Sequence, residues 1–207
     1  MLYNKMTEDE LIEKVSDDIK DNKVVGWFQG GSEFGPRALG HRSIFTNPCW
    51  EGAKSHLNDN VKHREYWRPY APIVATDDAS KYFDIIETEA NSYMLMSYKV
   101  KVDNLPGITH EDGSARIQTV NAEQNNRVYK LLKCIKNKIG VSVLLNTSFN
   151  LGGEPIVESP KDAVKTFTNS NIDVLVLENY YITKGGEKNG STGFIQSNPG
   201  STGRVSI

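Results

Sequence analysis

Residues 30–43, GGSEFGPRALGHRS, combine repeated glycine with Pro36, Arg37 and Arg42. Glycine is used where a chain bends tightly or lets a ligand approach its backbone. The arginine guanidinium offers a planar fork of donors that matches phosphate and carboxylate. Such a loop can hold an anionic ligand, or it can be a charged surface turn. A second segment, VKHREYWRP (61–69), packs Lys62, His63, Arg64 and Arg68 among Tyr66 and Trp67. Alternating cations and aromatics can bind single-stranded nucleic acid by stacking and phosphate contact. They can equally cradle a nucleotide, or complement the dipole at a helix C-terminus. Arg116 in EDGSARIQTV and the polar run NTSFNLGGEP (146–155) complete the set of candidate segments.

What is missing narrows the chemistry. There is no G-x-x-x-x-G-K-[ST] phosphate loop and no strand-linked G-x-G-x-x-G. His41, His56, His63 and His110 show no chelating spacing, so no protein-ligated metal is expected. No Ser-His-Asp or Cys-His arrangement stands out, and Ser148 lacks the G-x-S-x-G context of a nucleophile elbow. An arginine- and lysine-rich pocket without a nucleophile suits transfer at phosphorus, where positioning and charge stabilisation carry most of the catalysis.

The elements that must position these residues follow from pattern. Thr7 and Glu10 form a capping box for a helix with Leu11, Ile12, Val15 and Ile19 on one face. VVGWFQG (24–30) reads as a buried strand that delivers the first loop. Asn47-Pro48 is expected to open a second helix running to about Val61. PIVAT (72–76), YMLMSYKV (93–100) and VSVLLNTS (141–148) read as strands, and Asp112-Gly113 as a tight turn into another. NRVYKLLKCIKNKIG is an amphipathic helix stopped by Gly140; Ser159-Pro160 caps a last helix, and 173–184 adds one or two strands. Alternating strands and helices predict an α/β domain with a mixed sheet. In such sheets ligands gather at the C-terminal ends of strands.

The totals agree with one domain plus extensions. The chain has 207 residues, 38% hydrophobic and 24% charged, enough for a real core. With 24 Lys+Arg against 26 Asp+Glu the net charge is −2, which argues against nucleic acid as the general partner. Cys49 and Cys134 form no C-x-x-C pair, as expected of free thiols in a reducing compartment. The polar N-terminus is no signal peptide, and no apolar run approaches ~20 residues, so a cytoplasmic protein away from membranes is expected. Residues 1–22 are read as an N-terminal helix, 23–184 as the folded domain and 185–207, rich in Gly, Ser, Asn and Thr, as a flexible tail.

Taken together, EFGPRALGHRSI, VKHREYWRPYAP, THEDGSARIQTV and LLNTSFNLGGEPIVESPKDAVKTF resemble, in order and spacing, the C-terminal domain of the nodulation- and antibiotic-type O-carbamoyltransferases. The resemblance covers roughly residues 23–184. It implies a YrdC-like fold, a twisted open mixed sheet flanked by helices with a concave basic face. It implies conversion of carbamoyl phosphate and ATP to carbamoyl-adenylate, with Mg²⁺ carried by the nucleotide. The family's ligand-binding positions fall on Arg37, Lys62, Arg68, Arg116, Asn146 and Ser148, with Lys62, Arg68 and Ser148 in catalytic roles. In that family a kinase-like N-terminal domain passes the carbamoyl group to an acceptor hydroxyl. Here the first motif lies only a helix after Met1, so that domain is expected to be a separate partner. Two other functions are weighed: threonylcarbamoyl-adenylate synthesis for tRNA modification, against which the G-P-R-A-L-G and N-T-S-F-N motifs stand, and a non-catalytic RNA-binding module, which near-neutral charge disfavours.

Overall fold

A computed structural model describes residues 1–185 and the backbone of Gly203 and Arg204. In chain order the elements are β1 (Leu2–Lys5), α1 (Glu8–Lys20), β2 (Val25–Phe28), β3 (Arg42–Thr46), α2 (Ala53–Leu57), β4 (Ala71–Ala75) and α3 (Ala79–Tyr82). They continue with β5 (Ser97–Lys99), β6 (Ser114–Arg116), β7 (Gln118–Val120), α4 (Ala122–Ile139), β8 (Val143–Ser148), α5 (Pro160–Thr168), β9 (Val174–Leu177), β10 (Tyr180–Thr183) and β11 (Gly203–Arg204). One mixed sheet runs β11-β1-β10-β9-β2-β3-β8-β4-β7, and β5 and β6 form a separate ribbon.

Side chains alternate across this sheet with the period of two that extended backbone imposes. Val25, Trp27, Phe45, Ile73 and Leu144 face α1 and α4, where Leu11, Val15, Ile19, Leu131 and Ile135 close one core layer. Phe28, Ile44, Val74, Val143 and Leu145 face the other way, under Leu57, Val61, Ala163 and Phe167. The result is three layers, helices on both faces of the sheet.

The pairings set the edge on which the loops meet. β2 runs parallel to β9 and antiparallel to β3, and β8 is antiparallel to both β3 and β4. The ends of β2, β8 and β9 therefore share one edge with the starts of β3, β4 and β7, with Ser43 opposite Ser148 and Ala71 opposite Asn146. The candidate segments do converge, but on a mixed edge, because only β2 and β8 among the strands that carry them end there.

Several local expectations hold. The capping boxes at Thr7 and Ser159 form, and Gly140 ends α4 in a left-handed conformation. Asn125 departs from helical geometry, so the unbroken part of α4 starts at Asn126, where the sequence places it. Others change. A strand, β1, precedes the N-terminal helix and pairs with β10; four residues are too few to show a period in the sequence. The helix expected from Pro48 begins only at Ala53, because the Asn47 side chain accepts from the Cys49 N–H and folds 47–49 into a turn, while its far end runs on past Leu57 through a wide helical turn to Lys62, close to the expected end. The strand expected over 93–100 is only Ser97–Lys99, since Asn91 ties Ile86 to Tyr98 and curls the preceding chain. The flexible-tail expectation falls, apart from Gly185 and the Gly203–Arg204 pairing with β1, outside the described residues.

Candidate functional site

Each site residue is delivered by a loop that its own side chains brace. In the 30–41 loop, Glu33 turns inward and its Oε1 accepts from the N–H groups of Leu39 (2.6 Å), His41 (2.8 Å) and Arg42 (3.2 Å). Arg42 does the converse. Its guanidinium lies 3.5 Å over the Phe28 ring and donates to the carbonyls of Gln29, Gly30, His41 and Glu158. Of the two arginines in the motif, Arg42 thus holds the loop, while Arg37 is exposed at its turn and free to meet a ligand.

The second segment leaves α2 through a wide turn, Asn58–Lys62, in which the helix opens to i→i+5 hydrogen bonding. That extra residue per turn swings Lys62 inward, where it is 3% exposed. Its ammonium donates to the Ser148 carbonyl (2.5 Å), the Asn150 carbonyl (2.9 Å) and Asn150 Oδ1 (2.8 Å), which uses all three donors. Burial and the neighbouring Arg64 push its pKa down to about 7, while the three oxygens around it pull toward the charged form. Arg64 is set by Asn58, whose Oδ1 accepts from Arg64 Nε (2.9 Å) and from the Tyr70 hydroxyl (2.6 Å), and its guanidinium lies 4.5 Å from the Tyr70 ring centre. Arg68 is largely exposed and pairs with Glu65 at 2.9 Å. Such an exposed pair is worth little and can be exchanged for a ligand.

β8 supplies the third wall. Phe149 points into the core against Gly26, where a Cβ would collide with its ring, so Ser148 and Asn150 are turned toward the cleft. Gly152 then passes so close to Lys62 that a Cβ built there would fall on the Lys62 carbonyl oxygen. Arg116, at the end of β6, is half-buried; burial and the facing Arg37 push its guanidinium pKa down.

Two cavities result. A cleft of about 640 Å³ is lined by Lys62, Arg64, Glu65, Arg68, Ser148 and Asn150, among others. A smaller cavity of about 120 Å³ is lined by Arg37, Arg64, Met94, Arg116, Asn146 and Ser148, among others. They share Arg64 and Ser148 and so adjoin. All six residues expected from the sequence line one cavity or the other: Lys62 and Arg68 the larger, Arg37, Arg116 and Asn146 the smaller, Ser148 both. Glu65 is the one carboxylate among the residues lining the two. Like charges held together at this density invite an anion.

Two residues of the site were not singled out from sequence. Arg64 lay inside the basic segment, but nothing in the spacing told it from its neighbours. Asn150 follows Asn146 and Ser148 at intervals of two, and that strand period is the signal that picks it out. Among the described residues no group of three or more His, Cys, Asp or Glu could hold a metal ion, and no helix is long and apolar enough to cross a membrane.

Known proteins share both sequence and fold. Residues 16–184 match the family described as Carbamoyltransferase C-terminus. Nodulation protein NolNO of Sinorhizobium fredii is 42% identical over 181 residues, which cover 85% of this chain and 26% of that protein. The 3'-hydroxymethylcephem-O-carbamoyltransferase of Amycolatopsis lactamdurans is 36% identical over 171 residues, covering 82% of this chain and 32% of that protein. The chain thus spans about a third or less of the length of these relatives. The crystal structure of full-length HypF in its phosphate- and nucleotide-bound form superposes with a TM-score of 0.60 at 21% identity, over 82% of this chain and 25% of that one. The shared fold is the YrdC-like one. With the family's motifs in register and folded onto one edge of the sheet, this chain belongs to the carbamoyltransferase C-terminus family.

Proposed function

We propose that the chain binds ATP and carbamoyl phosphate in the two joined cavities and forms carbamoyl-adenylate. The observation that carries this is the concentration of Lys62, Arg64, Arg68, Arg37 and Arg116 around cavities that hold a single carboxylate. ATP and carbamoyl phosphate bring several negative charges that must approach one another, and these cations offset that repulsion. Water cleaves carbamoyl phosphate to carbamate and inorganic phosphate. A carbamate oxygen then forms a bond to the α-phosphorus of ATP as the bond to pyrophosphate breaks. Carbamate is already an anion and needs no base; holding it in line is the protein's main task.

The guanidinium forks of Arg37, Arg64 and Arg116 suit phosphate oxygens in fixed geometry. Lys62 has a different place from the phosphate grip its sequence position implies. With every donor engaged by Ser148 and Asn150, it joins the second and third walls and lends its charge through them. The Ser148 hydroxyl donates to Asn150 Oδ1 at 2.7 Å and lies where the two cavities meet. Mg²⁺ fits as a passenger: the donor set is cationic and Glu65 is paired to Arg68, so the nucleotide's phosphates would be its ligands. Bound there, it would neutralise phosphate charge. Transfer of the carbamoyl group to an acceptor hydroxyl is assigned to a further, kinase-like domain; the relatives, three or more times as long as the matched region, have room for one.

The test is direct. The purified chain with ATP, Mg²⁺ and carbamoyl phosphate should release pyrophosphate. Background release from folded, ATP-bound protein would contradict the proposal.

A further inference from the structure

The 30–41 loop has a neck, and one helix start holds both sides of it. Gln29 donates its N–H to the His41 carbonyl at 2.9 Å, so the loop leaves and rejoins the sheet at one point. On the entering side, Arg127 of α4 donates to Gln29 Oε1, to Asn179 Oδ1 (2.9 Å) and to Glu8 Oε2 (3.1 Å). Gln29 Nε2 donates to the Glu178 carbonyl at 3.1 Å. An arginine only donates and a carbonyl only accepts, so the Gln29 amide cannot flip. Glu178 takes the left-handed conformation, φ 51°, that non-glycine residues rarely adopt, and its Oε1 accepts from the Gly30 N–H at 2.7 Å.

On the leaving side stands Asn125, the residue at which α4 is broken. With φ −156° and ψ 87° it caps the unbroken helix, its Oδ1 accepting from the Val128 N–H at 3.1 Å. Its Nδ2 donates to the Gly40 carbonyl at 3.4 Å. Gly40 has φ 106°, and a Cβ there would stand 3.1 Å from Val128 and 3.3 Å from Asn125, so the neck lies against the helix in a conformation and at a spacing that favour glycine. Inside the loop, Asn146 Nδ2 holds the Ala38 carbonyl and Gln118 Oε1, and Gln118 Nε2 holds the Leu39 carbonyl. The tip, residues 34–37, is exposed, so the direction of Arg37 is set by the bonds beneath it.

We propose that Arg127 and Asn125 are positioning residues, which hold the two sides of the loop neck from one helix start and so aim Arg37 at its phosphate. Neither lines the two cavities. This rests on the phosphate-binding role given to Arg37 above and names what sets it. A cation on a loose loop loses freedom when it binds, and that loss subtracts from affinity; a braced neck has already met it on folding. In a continuous helix, residues two apart do not share a face. The break at Asn125 is what lets both residues serve one neck.

Hydrogen exchange and ATP titration on the same variants test this. In Arg127→Ala, amide exchange across 29–42 should speed up at least about fivefold while that of β8 is unchanged. Asn125→Ser keeps a helix cap but cannot span to Gly40, and should act likewise; it carries the test if Arg127→Ala does not fold. Unchanged exchange in the loop, or equal acceleration in β8, overturns the proposal. Arg127→Ala should weaken ATP binding at least about fivefold in the otherwise unmodified chain but less than about twofold beside Arg37→Ala, because the two residues act as a unit. An equal loss in both backgrounds overturns it. Arg127→Lys keeps the charge without the planar fork and should stay weakened; full recovery makes this a charge effect and overturns the positioning. Lys130→Ala removes a neighbouring cation that also pairs with Glu8, and should leave loop exchange and affinity as they are. If ATP binds and loop exchange does not respond, the positioning falls and adenylate formation stands. If loop exchange responds in protein that binds no ATP, adenylate formation falls and the braced neck stands.

Discussion

Lys62 shows how burial changes what a residue type means. In the sequence it is one of several cations, and its natural role is a point charge for phosphate. In the fold its three donors are spent on Ser148 and Asn150, and the desolvated ammonium is held down to about 7. An anion bound nearby favours the charged form, so the bound state takes up a proton wherever empty Lys62 has lost part of it. The sign follows: ATP affinity should fall as pH rises above about 7, with proton uptake visible calorimetrically in buffers of different ionisation enthalpy. Lys62→Arg, charged throughout, should flatten this dependence between pH 7.5 and 9, a range more than about three pH units below the usual arginine pKa. A flat profile in the unmodified protein would count against the residue's exposure to ligand charge. For the empty protein the same group acts the other way. The unfolded chain keeps its proton up to the ordinary value of 10.5, so this lysine's contribution to stability rises with pH from about 7 toward 10.

At the scale of elements, the site depends on two loops approaching each other more closely than most side chains allow. The turn after β8 presses Gly152 onto the Lys62 carbonyl, and that contact places Asn150 against the ammonium. Gly152→Ala must move one loop. We expect ATP affinity to fall more than tenfold, through loss of charge-assisted bonds worth ~1.5–3 kcal/mol each. Nearly unchanged affinity in titrations of the folded variant would show that the two loops are not coupled. The sequence displayed the parts of this arrangement unevenly. Long periodic elements were legible: α1 and α4 from their apolar faces, β8 from its run of valine and leucine, and their caps from local chemistry. The 47–52 turn was not, because an Asn-Pro pair opens a helix or an Asx turn with equal ease, and only the packed fold decides. The wide Asn58–Lys62 turn leaves no mark in composition at all, yet it is what turns Lys62 inward. The site residues were found through four motifs in register. Which of them grip and which brace was decided by contacts with residues far away in sequence, Gln118 and Asn150 above all.

For the whole molecule, near-neutral charge conceals a strong local asymmetry. Several acidic residues elsewhere are paired: Asp78, beyond the end of β4 away from the site, gathers Lys81, Lys133 and Lys136, and Glu8 gathers Arg127 and Lys130. At the loop edge, Arg37, Arg64 and Arg116 converge without carboxylates to answer them. That imbalance is a cost to the empty fold and an attraction for an anion, and the two effects separate cleanly by experiment. The decisive measurement is a pair of curves, ATP titration and thermal melt, on the unmodified chain and on Arg37→Ala, Arg64→Ala and Arg116→Ala. A site built for phosphates predicts affinity weakened about ten- to a hundredfold in each variant, with melting temperatures held or slightly raised as like charges are relieved. Normal ATP affinity in all three variants, with melting temperatures lowered, would make these arginines structural and contradict the account.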